Sequence, residues 1–373
     1  MAGFLSSYDR FTVPPLIVPI HDALGVSLGA AAGAATGYFV AYGVTQPAWG
    51  ALSDRFGLVP ILRVTVALAG IACVAAALVP TLALLIAARV AAGALFAAVV
   101  PAAITYIGDT VEIDTRQHAL ALMMASATLG TACATLISGV IAQVLDWRVA
   151  FLVPALIAIV VSWRVRLLVE PVRDPAAASF RSRLRGLLRH RWMPAVVGLA
   201  FLEGAVILGA LTFVAAALQE SGVGAALAGS AVAGFGIANV ACTPLVTRAI
   251  PRYPSPLLLA LGAAFTAAGL LLAAAHLTVV TALVATLALG AGFGFVQSTL
   301  QVWATQVYPA ARAVTISFFA AAVFTGGAVA TLLASPLADQ GRFSLLFLAA
   351  ALGALLLAAL GPALRARWLV QEA

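Results

Sequence analysis

Twelve stretches of about twenty mostly apolar residues follow one another along this chain of 373. A helix of about that length crosses the ~30 Å hydrocarbon core of a bilayer. The stretches cover 4–21, 28–52, 59–79, 82–108, 117–144, 148–168, 193–218, 223–247, 256–275, 278–304, 312–336 and 343–362. Apolar residues make up 64% of the chain and charged ones only 9%, against about 25% charged in a soluble domain. A mean hydropathy of +1.11 excludes an ordinary water-soluble core. The pattern predicts an all-α polytopic membrane protein of twelve transmembrane helices, with the lipid bilayer as its partner.

All twenty basic residues are arginines. With the N-terminus in the cytoplasm, sixteen of the twenty fall on cytoplasmic loops or helix ends, leaving Arg10, Arg89, Arg148 and Arg342 elsewhere. That bias predicts cytoplasmic N- and C-termini in a bacterial inner membrane. It also explains a pI near 10.0 without nucleic acid, since no basic stripe with stacking aromatic residues occurs. The opening MAGFLSSYDRF has no basic n-region and no small-residue cleavage site, so the first run is expected to remain as a span. Cys73, Cys133 and Cys242 lie inside apolar runs and form no CxxC, which predicts packing residues rather than a disulfide or a metal site.

The longest polar segment, RVRLLVEPVRDPAAASFRSRLRGLLRHRWMP, spans the junction of the sixth and seventh stretches and carries eight arginines. It divides the chain into an N-terminal bundle over 1–168, a basic cytoplasmic linker over 169–192, and a C-terminal bundle over 193–373. Part of the linker, FRSRLRGLLRHRW, reads either as an amphipathic helix on the anionic leaflet or as a solvated basic loop. The halves resemble each other. RQHALALMMASATLG runs from Arg116 to Gly130 and RAVTISFFAAAVFTG from Arg312 to Gly326, at an offset of 196 residues. A weak repeat at half-chain length is the mark of two parallel six-helix halves.

One polar pair interrupts the apolar pattern. In QPAWGALSDRFGLVPILR, Asp54 and Arg55 stand side by side between Gly50 and Gly57. The spacing predicts a turn of about six residues, with Gly57 permitting a sharp reversal. This stretch resembles the loop-2/3 signature of the major facilitator superfamily, Gly-x-x-x-Asp-Arg/Lys-x-Gly followed by basic residues. Leu58 and Val59 stand where basic residues are usual. LLIAARVAAGALFAA, with Arg89 and Gly93, is similar to the family's fourth-helix Arg-x-x-x-Gly pattern, and DWRVAF to its entry into helix six. The Gly-Pro motif that antiporters of the family often carry in helix five has no proline here. The resemblance implies two pseudo-symmetric six-helix bundles. It also implies a gating role for Gly50, Asp54, Arg55 and Gly57, in which the aspartate docks on the N-terminal end of helix eleven. A carboxylate there gains about 0.3–1 kcal/mol from the macrodipole when exposed and up to ~2 when partly buried.

Charged groups inside spans are costly and mark function. Glu203 lies about ten residues into the seventh stretch, roughly 15 Å deep at 1.5 Å per residue. A carboxyl at that depth suits a proton carrier or an acceptor for a cationic substrate. Arg89 and Asp9 are further candidates for proton coupling, as the resemblance implies. Their estimated depths differ by roughly 8–10 Å, so no direct pair is expected. Arg10 follows Asp9, points about 100° away from it, and is expected to snorkel to the interface. Tyr38, Tyr42 and Gln46 recur every four residues on one face of the second stretch, and Gln297 and Gln301 do so on the tenth. With Asn239 these are substrate-cavity candidates, although such groups also hold helices together. Gly29, Gly33 and Gly37 predict a tight helix contact.

The chain therefore reads as a secondary transporter moving a small organic substrate by alternating access. Proton-coupled efflux is the first reading, and import of a polar metabolite by a permease or facilitator the second. No Walker A is present, and no HExxH, Ser–His–Asp set or paired carboxylates, so neither enzyme activity nor a cofactor nor a metal is expected. The protein is expected to work as a monomer.

Overall fold

A computed structural model describes residues 1–171, 186–187, 190–309 and 312–372. Twelve helical passes account for nearly all of it. We number them α1 (Ala2–Phe11, a 3-10 turn Pro14–Leu16, and Ile17–Leu24), α2 (Leu28–Phe56), α3 (Leu58–Leu78), α4 (Leu82–Phe96 and Val99–Thr110), α5 (Ile113–Val144) and α6 (a 3-10 turn Trp147–Phe151 and Leu152–Val165). The second half holds α7 (Met193–Glu220), α8 (Ala225–Ala249), α9 (Ser255–Ala275), α10 (Val279–Val307), α11 (Arg312–Asp339) and α12 (Phe343–Glu372). Ten of them, all but α1 and α2, are long and apolar enough to cross a membrane by length and composition.

Prolines explain where helices break. Pro14 and Pro15 have no N–H to offer the carbonyls of Arg10 and Phe11, so α1 stops at Phe11 and restarts after a tighter turn. The first stretch is thus longer than 4–21 and interrupted. The break in α4 comes four residues before Pro101, where its ring meets the preceding turn. The carbonyl of Ala94, exposed at that break, accepts hydrogen bonds from Thr45 at 3.2 Å and from the Trp49 indole at 2.5 Å, both on α2.

The half-chain repeat is present in the packing. In the first half α1 packs on α5, α2 on α4, and α3 on α6; in the second, α7 packs on α11, α8 on α10, and α9 on α12. Glycines make the close approaches at equivalent positions. A Cβ on Gly130 would lie 2.4 Å from the carbonyl oxygen of Phe4, and one on Gly326 would lie 2.0 Å from that of Phe201. Gly93 meets the carbonyl of Tyr38 in the same way, and Gly290 that of Phe235. In lipid, association depends on such backbone contacts because apolar side chains gain nothing by leaving apolar surroundings. Large exposed residues such as Ile71, Leu78, Leu156 and Leu333 cover the outer surface. The halves meet along α2–α11 and α5–α8.

The turn expected around Asp54 is much shorter than six residues. Helix α2 continues through Phe56, and Gly57 alone, at φ 108°, links it to α3. Asp54 and Arg55 therefore belong to the last turn of α2. Such a φ suits glycine and strains other residues, which explains a one-residue connection. The linker segment FRSRLRGLLRHRW lies almost wholly outside the described residues.

Candidate functional site

Asp9 and Arg89 form a fully buried ion pair, with Nη1 of the arginine 2.7 Å from Oδ1 of the aspartate. The pair forms despite the expected difference in depth for two reasons. Helix α1 starts earlier and breaks just beyond Asp9, which moves that residue inward, and the extended arginine side chain covers the remaining distance. The break also supplies an acceptor: Arg89 Nη2 donates to the Asp9 backbone carbonyl at 2.8 Å. The Cys73 thiol donates to the same carboxylate oxygen at 3.3 Å, so this cysteine does more than fill space. Tyr38 lies over the guanidinium, 4.6 Å from ring centroid to Cζ. It therefore supports the ion pair inside the N-terminal bundle, and it stacks edge-on to Phe39 and flat on Tyr42.

Arg10 does not snorkel to the interface. Its guanidinium sits 4.4 Å from the ring centroids of both Tyr42 and Phe324. Those rings come from α2 and α11, one from each half, and are themselves 4.4 Å apart. Proximity to the two aromatic faces holds the cation at the boundary between the halves. Gln46, one turn beyond Tyr42, is buried as well.

Glu203 is fully buried on α7. Its partner is Gln297 of α10, whose amide, oriented with nitrogen toward the carboxyl, donates to Oε2 at 2.9 Å and to Oε1 at 3.2 Å. Hydrogen bonding assigns that orientation. Asn239 is half-buried on α8, with its side-chain oxygen facing Gly294 of α10. Gln301 is half-buried one turn beyond Gln297. The six cavity candidates thus divide: Tyr42 contacts Arg10 and Phe324 at the boundary between halves, Tyr38 and Gln297 are tied to charged partners, Gln46 is buried with no described partner for its Oε1, and Asn239 and Gln301 are half-buried.

At the face bearing the chain ends, Arg55 is exposed and rests over Phe56. The Asp54 side chain and residues 310–311, just before α11, lie outside the described structure. Among the described residues, nothing beyond its own stretch of helix backbone lies within 4 Å of a Cβ on Gly50. Sequence reasoning missed Glu170, whose two carboxylate oxygens accept from the backbone N–H groups of Leu58 and Val59, both at 2.8 Å. It caps the N-terminus of α3 immediately after the Gly57 link. An acid just past the end of the sixth apolar stretch was the available signal.

At the far face, hydrogen bonds at three places among the described residues tie the halves, with Ser335 also donating to the Gly29 carbonyl at 3.5 Å at the first of them. Asp339, ending α11, accepts from the N–H of Gly29 at 2.6 Å and from the Ser27 hydroxyl at 3.0 Å, so it caps α2. Gln143, near the end of α5, accepts from the N–H of Ala226 at the start of α8 at 2.9 Å. Gln219 of α7 donates to the carbonyl of Pro15 at 3.1 Å. That carbonyl is open because Pro19, its helical partner, has no N–H.

A family model described as Major Facilitator Superfamily matches residues 1–331. The chain belongs to that superfamily. It has the twelve-helix fold of that superfamily, as the loop signature and the repeat implied. Among curated relatives it is 24% identical over 149 residues to an uncharacterized MFS-type transporter, YybF, of Bacillus subtilis, covering 40% of this chain and 37% of the relative. It is 29% identical over 151 residues to the efflux pump dotC of Dothistroma septosporum, covering 40% of this chain and 26% of the relative. These matches therefore span well under half of either relative. In fold it is similar to the nucleoside transporter NupG, with TM-score 0.77, 16% identity, and coverage of 96% of this chain and 95% of that one. It is likewise similar to a D-xylose-proton symporter, with TM-score 0.76, 16% identity, and coverage of 94% of both chains.

Proposed function

We propose that this transporter is a proton-coupled exporter of a small organic molecule, with Glu203 as the proton carrier. One observation carries the reading: a fully buried carboxyl whose described partner is a neutral amide. Among the described residues no cation forms an ion pair with it. A glutamine amide offers N–H donors to a carboxylate and, turned over, a carbonyl to a carboxylic acid, so one side chain satisfies both protonation states. A group that carries protons across a cycle needs such a partner. Asp9 is the contrast, since a permanently charged arginine is bound to it at 2.7 Å. Asp9 and Arg89 then act as a positioning pair that fixes the broken first helix.

The arginine bias places the chain-end face in the cytoplasm, so the contacts through Asp339, Gln143 and Gln219 would seal the periplasmic side. Asp54 and Arg55 would form the opposing latch when the cytoplasmic side closes. The match to a fungal efflux pump supports the direction of transport.

The test is proton flux in liposomes holding purified protein and an internal pH-sensitive dye, as compounds of each charge type are added. Compound-driven proton movement in wild type and its loss in Glu203→Gln are expected. Compounds that cross without proton movement, equally in both proteins, would replace this reading with that of a facilitator.

A further inference from the structure

The Glu203 reading leaves Arg10 unused. This arginine is next to the last residue before the break in α1, and its guanidinium lies against aromatic rings from both halves. Arginine has five N–H donors and no acceptor. The one acceptor described for it is the Ser6 hydroxyl, 3.5 Å from Nη2, at the limit of a hydrogen bond. Its Nε is buried with no partner among the described residues, as is that of Arg89. Asp9 is bonded to Arg89 through Oδ1, its buried Oδ2 having no partner among the described residues, and Glu203 is bonded to Gln297. Among the described residues no carboxylate forms an ion pair with Arg10.

An unpaired cation inside a membrane protein is expensive and is kept where it binds something. Arg89 shows how this chain treats an arginine it means to neutralise: it supplies a carboxylate and a carbonyl. Arg10 receives neither, and it is half-buried, so part of it faces open space. We infer that Arg10 receives the anionic group of the transported molecule, a small organic carboxylate, sulfonate or phosphate monoester, with its apolar body lying against Tyr42 and Phe324. Both rings are buried in this state, so the apolar body reaches them as the two halves part. The same charge disfavours organic cations. Because Tyr42 and Phe324 belong to different halves, an anion bound here contacts both sides of the boundary that must open and close.

This assignment rests on the transporter reading but not on proton coupling, so it is tested by binding without any gradient. The protein in nanodiscs would be dialysed to equilibrium against 2-naphthalenesulfonate, 2-naphthoate, 2-naphthylmethanol and 2-naphthylmethylammonium, with empty discs as the blank. Inorganic sulfate would measure the anionic group alone. We expect both organic anions to bind at least ~10-fold tighter than the alcohol, and the ammonium to bind weakest. Arg10→Gln should weaken anion binding by ~10- to 100-fold, the range for hydrogen bonds to a charged group, while Arg10→Lys falls between. Tighter binding of the ammonium, unchanged anion binding in Arg10→Gln, or no anion binding above the blank would each overturn the assignment. Should Arg10→Gln fail to fold, the wild-type charge series decides on its own. A failure of Glu203 coupling leaves every arm of this experiment readable.

Discussion

Removing the Asp339 carboxylate should open the far face by a calculable amount. The carboxylate accepts one strong backbone hydrogen bond, 2.6 Å from Gly29, and one from the Ser27 hydroxyl at 3.0 Å. It also caps the positive end of α2. Asp339 is exposed, so water and salt reduce these terms, and the macrodipole adds about 0.3–1 kcal/mol. Together we assign about 1–2 kcal/mol to the contact, which is a factor of ~5–30 in the equilibrium between closed and open far faces. Spin labels at Leu78→Cys on α3 and Val280→Cys on α10, both exposed and one in each half, would report that equilibrium as a pulsed electron–electron distance distribution. Cys133 and Cys242 would first be replaced by alanine. Asp339→Ala should raise the ratio of long to short distances by that factor. Asp339→Asn should raise it less, because the amide oxygen still accepts from Gly29. Gly29→Ala should act in the same direction, since its Cβ would stand 2.6 Å from that of Ser335. Combined with Asp339→Ala it should add little, because both variants break one contact. Unchanged populations in Asp339→Ala, or an asparagine effect larger than the alanine effect, would refute the reasoning.

The ion pair, the glycines and the loop cap give further expectations. Asp9→Asn or Arg89→Met alone should cost about 3–5 kcal/mol by stranding a buried charge, and the double variant Asp9→Leu/Arg89→Met should cost less than either, as read from unfolding followed by tryptophan fluorescence. Gly326→Ala and Gly130→Ala force a methyl onto a carbonyl oxygen and should each lose about 1–3 kcal/mol, whereas Gly50→Ala, with nothing among the described residues beyond its own helix within 4 Å, should leave the unfolding midpoint unchanged or raise it. Glu170→Ala removes a two-pronged cap and should cost about 1–2 kcal/mol, with faster hydrogen exchange confined to Leu58 and Val59 and their neighbours.

The number of passes, their order and the two-fold repeat were legible because each rests on a local signal: span length, arginine bias, and an Arg-to-Gly spacing repeated half a chain later. Pairing across the bundle was less legible. The depth argument counted residues along ideal helices, so it missed what Pro14 and Pro15 do to α1 and what an extended arginine can reach. It consequently separated Asp9 from Arg89 and sent Arg10 to the interface. The six-residue turn at Asp54 failed for a related reason: Gly57 alone makes the reversal, so the polar residues before it stay helical. Glu170, Asp339 and Gln143 act by capping helices more than a hundred residues away or in the other half, and nothing in their immediate sequence names those partners.

The repeat separates scaffold from chemistry. Glycines at 93 and 130 have counterparts at 290 and 326, and each meets a backbone carbonyl at the equivalent crossing. Even the far-face contacts correspond, with Gln143 capping α8 where Asp339 caps α2. The charged residues of the candidate site have no such counterparts. At an offset of 197, Asp9, Arg10 and Arg89 are matched by Val206, Ile207 and Thr286, and Glu203 is matched by Ser6. Two like halves supply a symmetric hinge and seal, and selection on a duplicated frame would keep what both halves need. On the proposed reading, a cation at Arg10 on one half and a proton-accepting carboxyl at Glu203 on the other need not match, because each would contribute a different chemical function to one shared pathway. Introducing a second arginine by Ile207→Arg should therefore not create a second anion site. The surroundings of Arg10 (the Ser6 hydroxyl, the Tyr42 and Phe324 rings and the broken helix) are not repeated there, and Ile207 is fully buried. The variant is expected to lose stability without gaining anion affinity in the dialysis series.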